Sequence, residues 1–263
     1  MNNILFFDDT INGFTETLII ALVIVGALIV LVSIFAFCVS IYLTFSYIKY
    51  NRKKNSFGVT GEEACRKILD DNDLTNIKIT KNGSILFGNS YSHYFKRVRL
   101  RRLTYRKKSI TSLAMASQKA SLAILDKEGD EDMKKRIKLT PLVIFGPFAF
   151  IPILLIGLVL DVLFFNCEGY ITIISIVLGF VIFICAFVCA FMEIKTEKKA
   201  QIRAIQILEE NGLATEDERK MMKQLFKLYN IEYINNFVLA ILEVIYDILK
   251  LLLSIATKAS DNS

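Results

Sequence analysis

The chain has a single histidine, His93, in 263 residues. That excludes any metal centre or acid–base pair that needs two. Cysteine forms no framework: the five cysteines are an odd number with no C-x-x-C pair. Cys38, Cys185 and Cys189 lie in apolar runs, where cysteine behaves as a small hydrophobe, and Cys65 and Cys167 stand alone in polar segments. No disulfide scaffold and no structural zinc follows. There is no glycine-rich phosphate loop, no G-x-S-x-G elbow and no paired-carboxylate constellation. What is abundant is apolar: 54% hydrophobic residues against 22% charged, with a mean hydropathy of +0.46. The apolar residues gather in long uncharged runs, which excludes a disordered or collagen-like chain and points to a membrane protein. The net charge of +6 is unevenly spread, since Lys49–Pro141 holds 22 Lys and Arg against 10 Asp and Glu.

Leu18 to Ile48 is a run of 31 residues without a charge. A bilayer core needs about 20 helical residues, so residues 18–48 are predicted as a first transmembrane helix after an extracytoplasmic segment 1–17. Acidic Asp8, Asp9 and Glu16 precede the run, and Lys49, Arg52, Lys53 and Lys54 follow it. The positive-inside rule then puts the N-terminus outside and residue 49 onward in the cytoplasm. Further spans are predicted at 142–165, kinked by Pro147 and Pro152, and at 171–192. The loop between them, with Cys167 and Glu168, has no Lys or Arg and is expected outside, so that labelling from outside reaches Cys167 and not Cys65. A cytoplasmic helical hairpin is expected at 193–230. Residues 231–257 form an amphipathic or fourth transmembrane helix whose Glu243, Asp247 and Lys250 share one face.

The segment 49–141 reads as a cytoplasmic α+β body. Thr60-Gly-Glu-Glu63 is a capping box opening a helix to about Asp71. Lys81-Asn82-Gly83 reads as a hairpin turn between TNIKIT and SILF rather than as part of a glycosylation acceptor. FKRVRLRRLTY reads as a strand, and Ser109 to Leu125 as a helix with Ile110, Leu113, Ala114, Ser117, Ala120 and Ile124 near one face. After the third span, Lys195 to Glu210 is helical up to Gly212, and Thr215 to Glu218 is a second capping box. The fold class is thus an α-helical multi-span membrane protein with a small cytoplasmic α+β body.

Several words of the chain, in order, resemble the bacterial membrane zinc metallopeptidases of the YugP type. GVTGEEACRKILDDNDLTNIKI (58–79), KRVRLRRLTYRKKSITSLAMA, KEGDEDMKKRIKLTPLVIFG and RAIQILEENGL are similar to that family's corresponding segments. The likeness runs from Gly58 to Leu213. It implies a metallopeptidase-like body whose site lies between the 109–125 and 195–210 helices. In that family the first helix carries H-E-x-x-H, two zinc ligands one turn apart with a general-base Glu. Here the aligned positions are Gln118, Lys119 and Leu122, and a one-residue slip gives Ser117, Gln118 and Ser121. Leucine has no ligand atom, serine and amide oxygens are poor zinc partners, and lysine repels the cation. The family's third ligand, a Glu after the third span, falls on Glu197, with Lys199 and Gln201 where the family has Asn and Ser. Its L-T-D-H-Y-D-P segment meets Phe87–Tyr91, with Ser90 in place of the His, so His93 reads as an ordinary surface or turn histidine.

The resemblance and its missing motif imply a pseudoenzyme: a degenerate, membrane-anchored peptidase fold without catalytic residues, metal or cofactor, acting by protein or peptide binding. The expected partners are the membrane and an active paralogous peptidase or another membrane protein, with Val98 to Leu103 as the strand that takes up an extended peptide. Peptidase activity through a metal supplied by a partner is a lesser expectation. Replacement of zinc by a Cys65–His93 pair is set against simple packing of Cys65. The alternative function is polyanion binding. Lys96, Arg97, Arg99, Arg101, Arg102, Arg106, Lys107 and Lys108 put eight basic residues in 13, which suits anionic lipid and, with a lesser expectation, nucleic acid. Finally, a Glu197 kept without zinc needs a counter-ion, so Lys119 or Gln118 is expected to contact it. The competing arrangement pairs Glu197 within its own helix, through Lys198 or Arg203.

Overall fold

The computed structural model describes residues 2–83, 88–165 and 170–261, with side chains omitted for 2–14, 147, 150, 163–165, 255 and 258–261. The chain forms two units, one of residues Met1–Ser46 with Lys227–Ser263, the other of Tyr47–Phe226. Among the described residues it is mostly helical, with one three-stranded sheet.

The first unit is built from the long helix α1 (Asn2–Arg52) as far as Ser46 and from α7 (Glu216–Asp261) beyond Phe226, while the last turns of α1, from Tyr47, belong to the second unit. Within α1, Thr15–Arg52 is long and apolar enough to cross a membrane. Its surface is apolar and open, with Ile20, Val23, Leu31, Phe37 and Phe45 all exposed, the pattern of a helix solvated by lipid. The later part of α7 runs antiparallel to α1 at side-chain distance. Ser40 Oγ donates to Glu232 Oε1 at 2.9 Å, and Gly26 faces the Tyr246 ring. The two contacts are 14 residues apart on each helix, so the pairing extends over about 21 Å of helix. Residues 193–230, expected as a hairpin, belong to the end of α6 (Tyr170–Glu210) and the start of α7, and residues 231–257, expected as a separate helix, belong to α7. The break between α6 and α7 is where expected: Gly212 has φ +59°, and Thr215 and Glu218 cap each other's backbone N–H.

In the second unit, α2 (Gly61–Asp70) starts at the predicted capping box: Glu63 N donates to Thr60 Oγ1 at 3.1 Å and Thr60 N to Glu63 Oε2 at 2.7 Å. Its buried face is Ala64, Cys65, Ile68 and Leu69. Gly61 is obligatory, because a Cβ there would lie 2.1 Å from the carbonyl oxygen of Thr104. Gly61→Ala should cost about 1–3 kcal/mol by overpacking against backbone, read as a lowered thermal midpoint.

The strands are β1 (Lys78–Asn82), β2 (Ser90–Ser92) and β3 (Arg97–Arg101), in the order β1-β3-β2. β3 pairs parallel with β1 and antiparallel with β2. The hairpin expected around Asn82-Gly83 needs the SILF segment, which lies outside the described residues; among the described residues β1 takes β3 as its neighbour. The predicted strand FKRVRLRRLTY is also shortened. Alternation holds while Val98 and Leu100 point inward, fully buried, and ends at Arg101, where α3 (Arg102–Arg106) begins. β3 is central, with neighbours on both sides of Arg97–Arg99, so of the segment Val98–Leu103 expected to take up a peptide, Val98 and Arg99 have no open edge.

Helix α4 (Ile110–Glu128) is capped by Ser109, whose Oγ accepts from Ser112 N at 3.1 Å, and ends at Gly129 with φ +70°. Sequence periodicity predicts one apolar face, but the helix is buried almost all round. Its alanines and serines let the other helices approach closely on every side. Helix α5 (Glu131–Val159) continues into a π-helical turn, Leu160–Phe165, and packs antiparallel on α6. The close approaches pair Gly146 with Ala186 and Gly157 with Ser175. The apolar part of α5 is bent by 58° between Gly146 and Ile151, where Pro147 removes a helix hydrogen bond. Two helices, α1 and α6, are thus long and apolar enough to span, with a third span if the bent α5 counts as one.

Candidate functional site

The apolar stretch of α6 ends at Met192, and one turn beyond it Glu197 faces α4 and α5. All three helices are in the second unit. Gln118 Nε2 donates to Glu197 Oε2 at 2.7 Å, and Lys119 Nζ donates to the same oxygen at 2.9 Å. Arg136, on the first turns of α5, places Nη1 2.9 Å from Glu197 Oε1, and its Nε lies 3.9 Å from Glu193. The three charged side chains are secluded: Lys119 is 12% exposed, Glu197 16% and Arg136 18%. Burial by itself pushes the Glu197 carboxyl up. The charge of Lys119, then that of Arg136, together with their hydrogen bonds, outweighs it and brings the pKa down to about 2. The carboxylate is therefore ionised and has both oxygens engaged.

Around this centre the turn between α4 and α5 is tied to α6. Lys195 pairs with Asp132 at 3.0 Å, Lys199 with Asp130 at 2.8 Å and with Asp132, and Arg203 with Glu128 at 3.4 Å. Residues 195, 199 and 203 recur every four positions, so they form one stripe on α6. Arg203 faces Glu128 and Lys198 is exposed, while Gln118, Lys119 and Arg136, the groups that meet Glu197, come from α4 and α5. One turn along α4 from Gln118, Leu122 is 1% exposed and packs with Leu125, Met133 and Ala200, covered by Tyr91 and Ile137. Of the alternative register, Ser117 Oγ is spent on the Leu113 carbonyl and Ser121 is fully buried.

His93 is not an isolated surface group. Its Nδ1 lies 2.7 Å from Asp126 Oδ2, which also accepts from Tyr91 OH at 2.5 Å and has Lys96 Nζ at 3.6 Å. Burial pushes Asp126 up, but these donors hold it below the usual carboxylate range. Cys65 is fully buried and its thiol is pushed up to about 12, by burial first, so it is packing and not a nucleophile. It would also report poorly on sidedness by labelling, and Cys167 lies outside the described residues.

Arg136 and Asp126 were not anticipated. The sequence shows Arg136 only as one cation of a basic run before a span, and nothing local singles it out. The basic run Lys96–Lys108 is divided by the fold. Lys96 turns to Asp126 and Arg97 lies over the Phe95 ring at 4.5 Å, with Arg99 following along β3. Arg101, Arg102, Arg106, Lys107 and Lys108 lie at the far end of β3 and beyond it.

A family profile described as "Putative neutral zinc metallopeptidase" matches residues 24–252, which is most of the chain. The chain belongs to this zinc metallopeptidase family. It is 25% identical over 200 residues to "Putative membrane protease YugP" of Bacillus subtilis, covering 76% of this chain and 84% of that protein. No solved structure matches. Against the zinc that the family name implies, the side chains at the Glu197 site do not fit. A cation at Lys119 and another at Arg136 take the carboxylate, Gln118 donates to it, and Leu122 offers carbon. Among the described residues no three His, Cys, Asp or Glu side chains come together as a metal-holding group.

Proposed function

We propose that this member of the metallopeptidase family is a pseudoenzyme, a membrane-held peptidase fold that acts by binding another protein. The partner class is a membrane protein, an active peptidase of the same family included. The observation that carries this reading is the engagement of Glu197 by Lys119, Arg136 and Gln118. Two fixed protein cations lie where a zinc ligand would hold a dication, and they convert a metal-binding carboxylate into a structural tie between three helices. The test uses the full chain purified in mild detergent. Expected are far less than one zinc per chain, no chelator-sensitive peptide hydrolysis, and co-purification of a membrane protein in comparable amount. Stoichiometric zinc with chelator-sensitive cleavage would overturn the proposal. So would activity restored by a partner's metal.

The same proposal includes a multi-pass arrangement with the N-terminus outside and the second unit's sheet and α4 cytoplasmic. Supporting it, Lys49, Arg52, Lys53 and Lys54 close α1, and Lys195, Lys198 and Lys199 follow the apolar part of α6. The antiparallel pairing of α7 with α1 supports residues 231–257 crossing beside α1 rather than lying in the interface. An impermeant thiol reagent added to intact cells should reach Cys167, and failure to do so only until the cells are opened would reverse the orientation.

A further inference from the structure

Two basic stretches some fifty residues apart in sequence meet at the end of α1. Asn55 N donates to the Lys108 carbonyl at 2.9 Å, Ile110 N to the Lys53 carbonyl at 3.1 Å, and Ser109 Oγ to Asn51 Oδ1 at 3.0 Å. Thr111 Oγ1 reaches the Tyr47 carbonyl at 3.4 Å, and Lys54 and Ser109 form an isolated antiparallel bridge. Arg52, Lys53, Lys54, Arg102, Arg106 and Lys108 are all exposed. Among the described residues, none of the six has a carboxylate within ion-pair distance. Among the described residues, Lys53 Nζ has the weak acceptor Met221 Sδ, at 3.7 Å. Two large apolar side chains of these same segments are open, Phe57 and Leu103, each 50% exposed.

The position of this patch decides its partner. Ile48 is the last residue of the charge-free run, and Phe45 and Ile48 are still exposed apolar surface. Asn51, which anchors Ser109, lies less than one turn further, within about 5 Å of the end of that run. The segment 102–108 is thereby held at headgroup depth by backbone and side-chain hydrogen bonds, not by a flexible linker. Guanidinium forks and ammonium groups suit phosphate oxygens, and Leu103 and Phe57 suit the boundary between headgroup and acyl chain. We infer that the end of α1 and the segment Arg102–Lys108 form one built site for anionic phospholipid headgroups of the bilayer that α1 enters. The site rests on α1 crossing the membrane and is independent of whether the chain cleaves peptides.

The experiment compares phosphatidylglycerol with phosphatidylcholine of the same acyl chains. Lipid retained by the full chain in mild detergent is counted by native mass spectrometry. Phosphatidylglycerol should be retained at least about tenfold better, since each cation near an anionic headgroup is worth roughly fivefold. The variant R102Q/R106Q/K108Q, all at exposed positions, should lose this preference while keeping the wild-type thermal midpoint. K78Q/K81Q, on β1, should keep the preference. Equal retention of the two lipids would overturn the inference, as would a preference that survives the triple substitution. Displacement of the lipid by millimolar inorganic phosphate would overturn it in favour of a free-phosphate site, and displacement by a short oligonucleotide in favour of nucleic acid. Release of the chain from membranes by alkaline carbonate would refute crossing by α1 and leave the pseudoenzyme reading to its own test.

Discussion

Lys119→Ala should lower the unfolding free energy by about 3 kcal/mol, the lower end of what is lost when one partner of a buried pair is removed. Arg136 remains on the other carboxylate oxygen, which is why the loss does not reach the upper end. Arg136→Ala should act in the same sense, because Lys119 and the neutral Gln118 are then left to hold a carboxylate that is 16% exposed. The decisive measurement is a double-mutant cycle on the thermal midpoint in mild detergent. Removing Lys119 in a Glu197→Met background should cost far less than removing it in the wild type, since the uncompensated charge is then gone. Equal costs in both backgrounds would show that Lys119 stabilises through its aliphatic stem alone. That outcome would also remove the structural role given to the site, because a tie between α4, α5 and α6 needs the charges to be coupled.

Acid should weaken the protein through the same carboxylate. Glu197 has a pKa near 2 in the folded chain against an ordinary value of 4.5. A depressed carboxyl binds protons more readily in the unfolded chain, so its stabilisation is fully present above about pH 4.5 and is lost as pH falls towards 2. The amount at stake is about 3 kcal/mol. Asp126, Asp130 and Asp132 are also held low by their partners, so total acid sensitivity is not specific to Glu197. The difference between wild type and Glu197→Gln is specific. Across the window from about 4.5 to 2 the wild type should lose stability relative to the variant, and parallel curves would refute the assigned role.

Family membership and the absence of a zinc-binding helix motif were legible in the sequence for one reason. Both depend on which residues occur at short fixed spacings, and a chain with one histidine has no H-E-x-x-H to offer. The same holds for α1, the apolar part of α6, and the capping boxes at Thr60 and Thr215, where local hydrogen bonding and burial into lipid act within a few residues. The pairing of Glu197 with Lys119 and Gln118 was an expectation of charge balance, and the distances of 2.9 and 2.7 Å bear it out.

Other features needed the tertiary structure. Neighbours in a sheet are chosen across long loops, so the strand partners could not be read locally: β1 pairs parallel with β3, and β3 stops at Arg101 where Thr104 must meet Gly61. A run of eight cations looks like one stripe along the chain. The fold divides it because the turn before β3 brings Lys96 to Asp126 and leaves Arg97, the first residue of β3, over Phe95, while the end of α1 claims the Arg102–Lys108 segment. Arg136 became visible as the second counter-charge only once α5 crossed α6, since pairs 61 residues apart leave no periodic trace. Composition and spacing determined what this chain is made to do locally and what it lacks. Packing between distant helices decided where the retained carboxylate finds its charge.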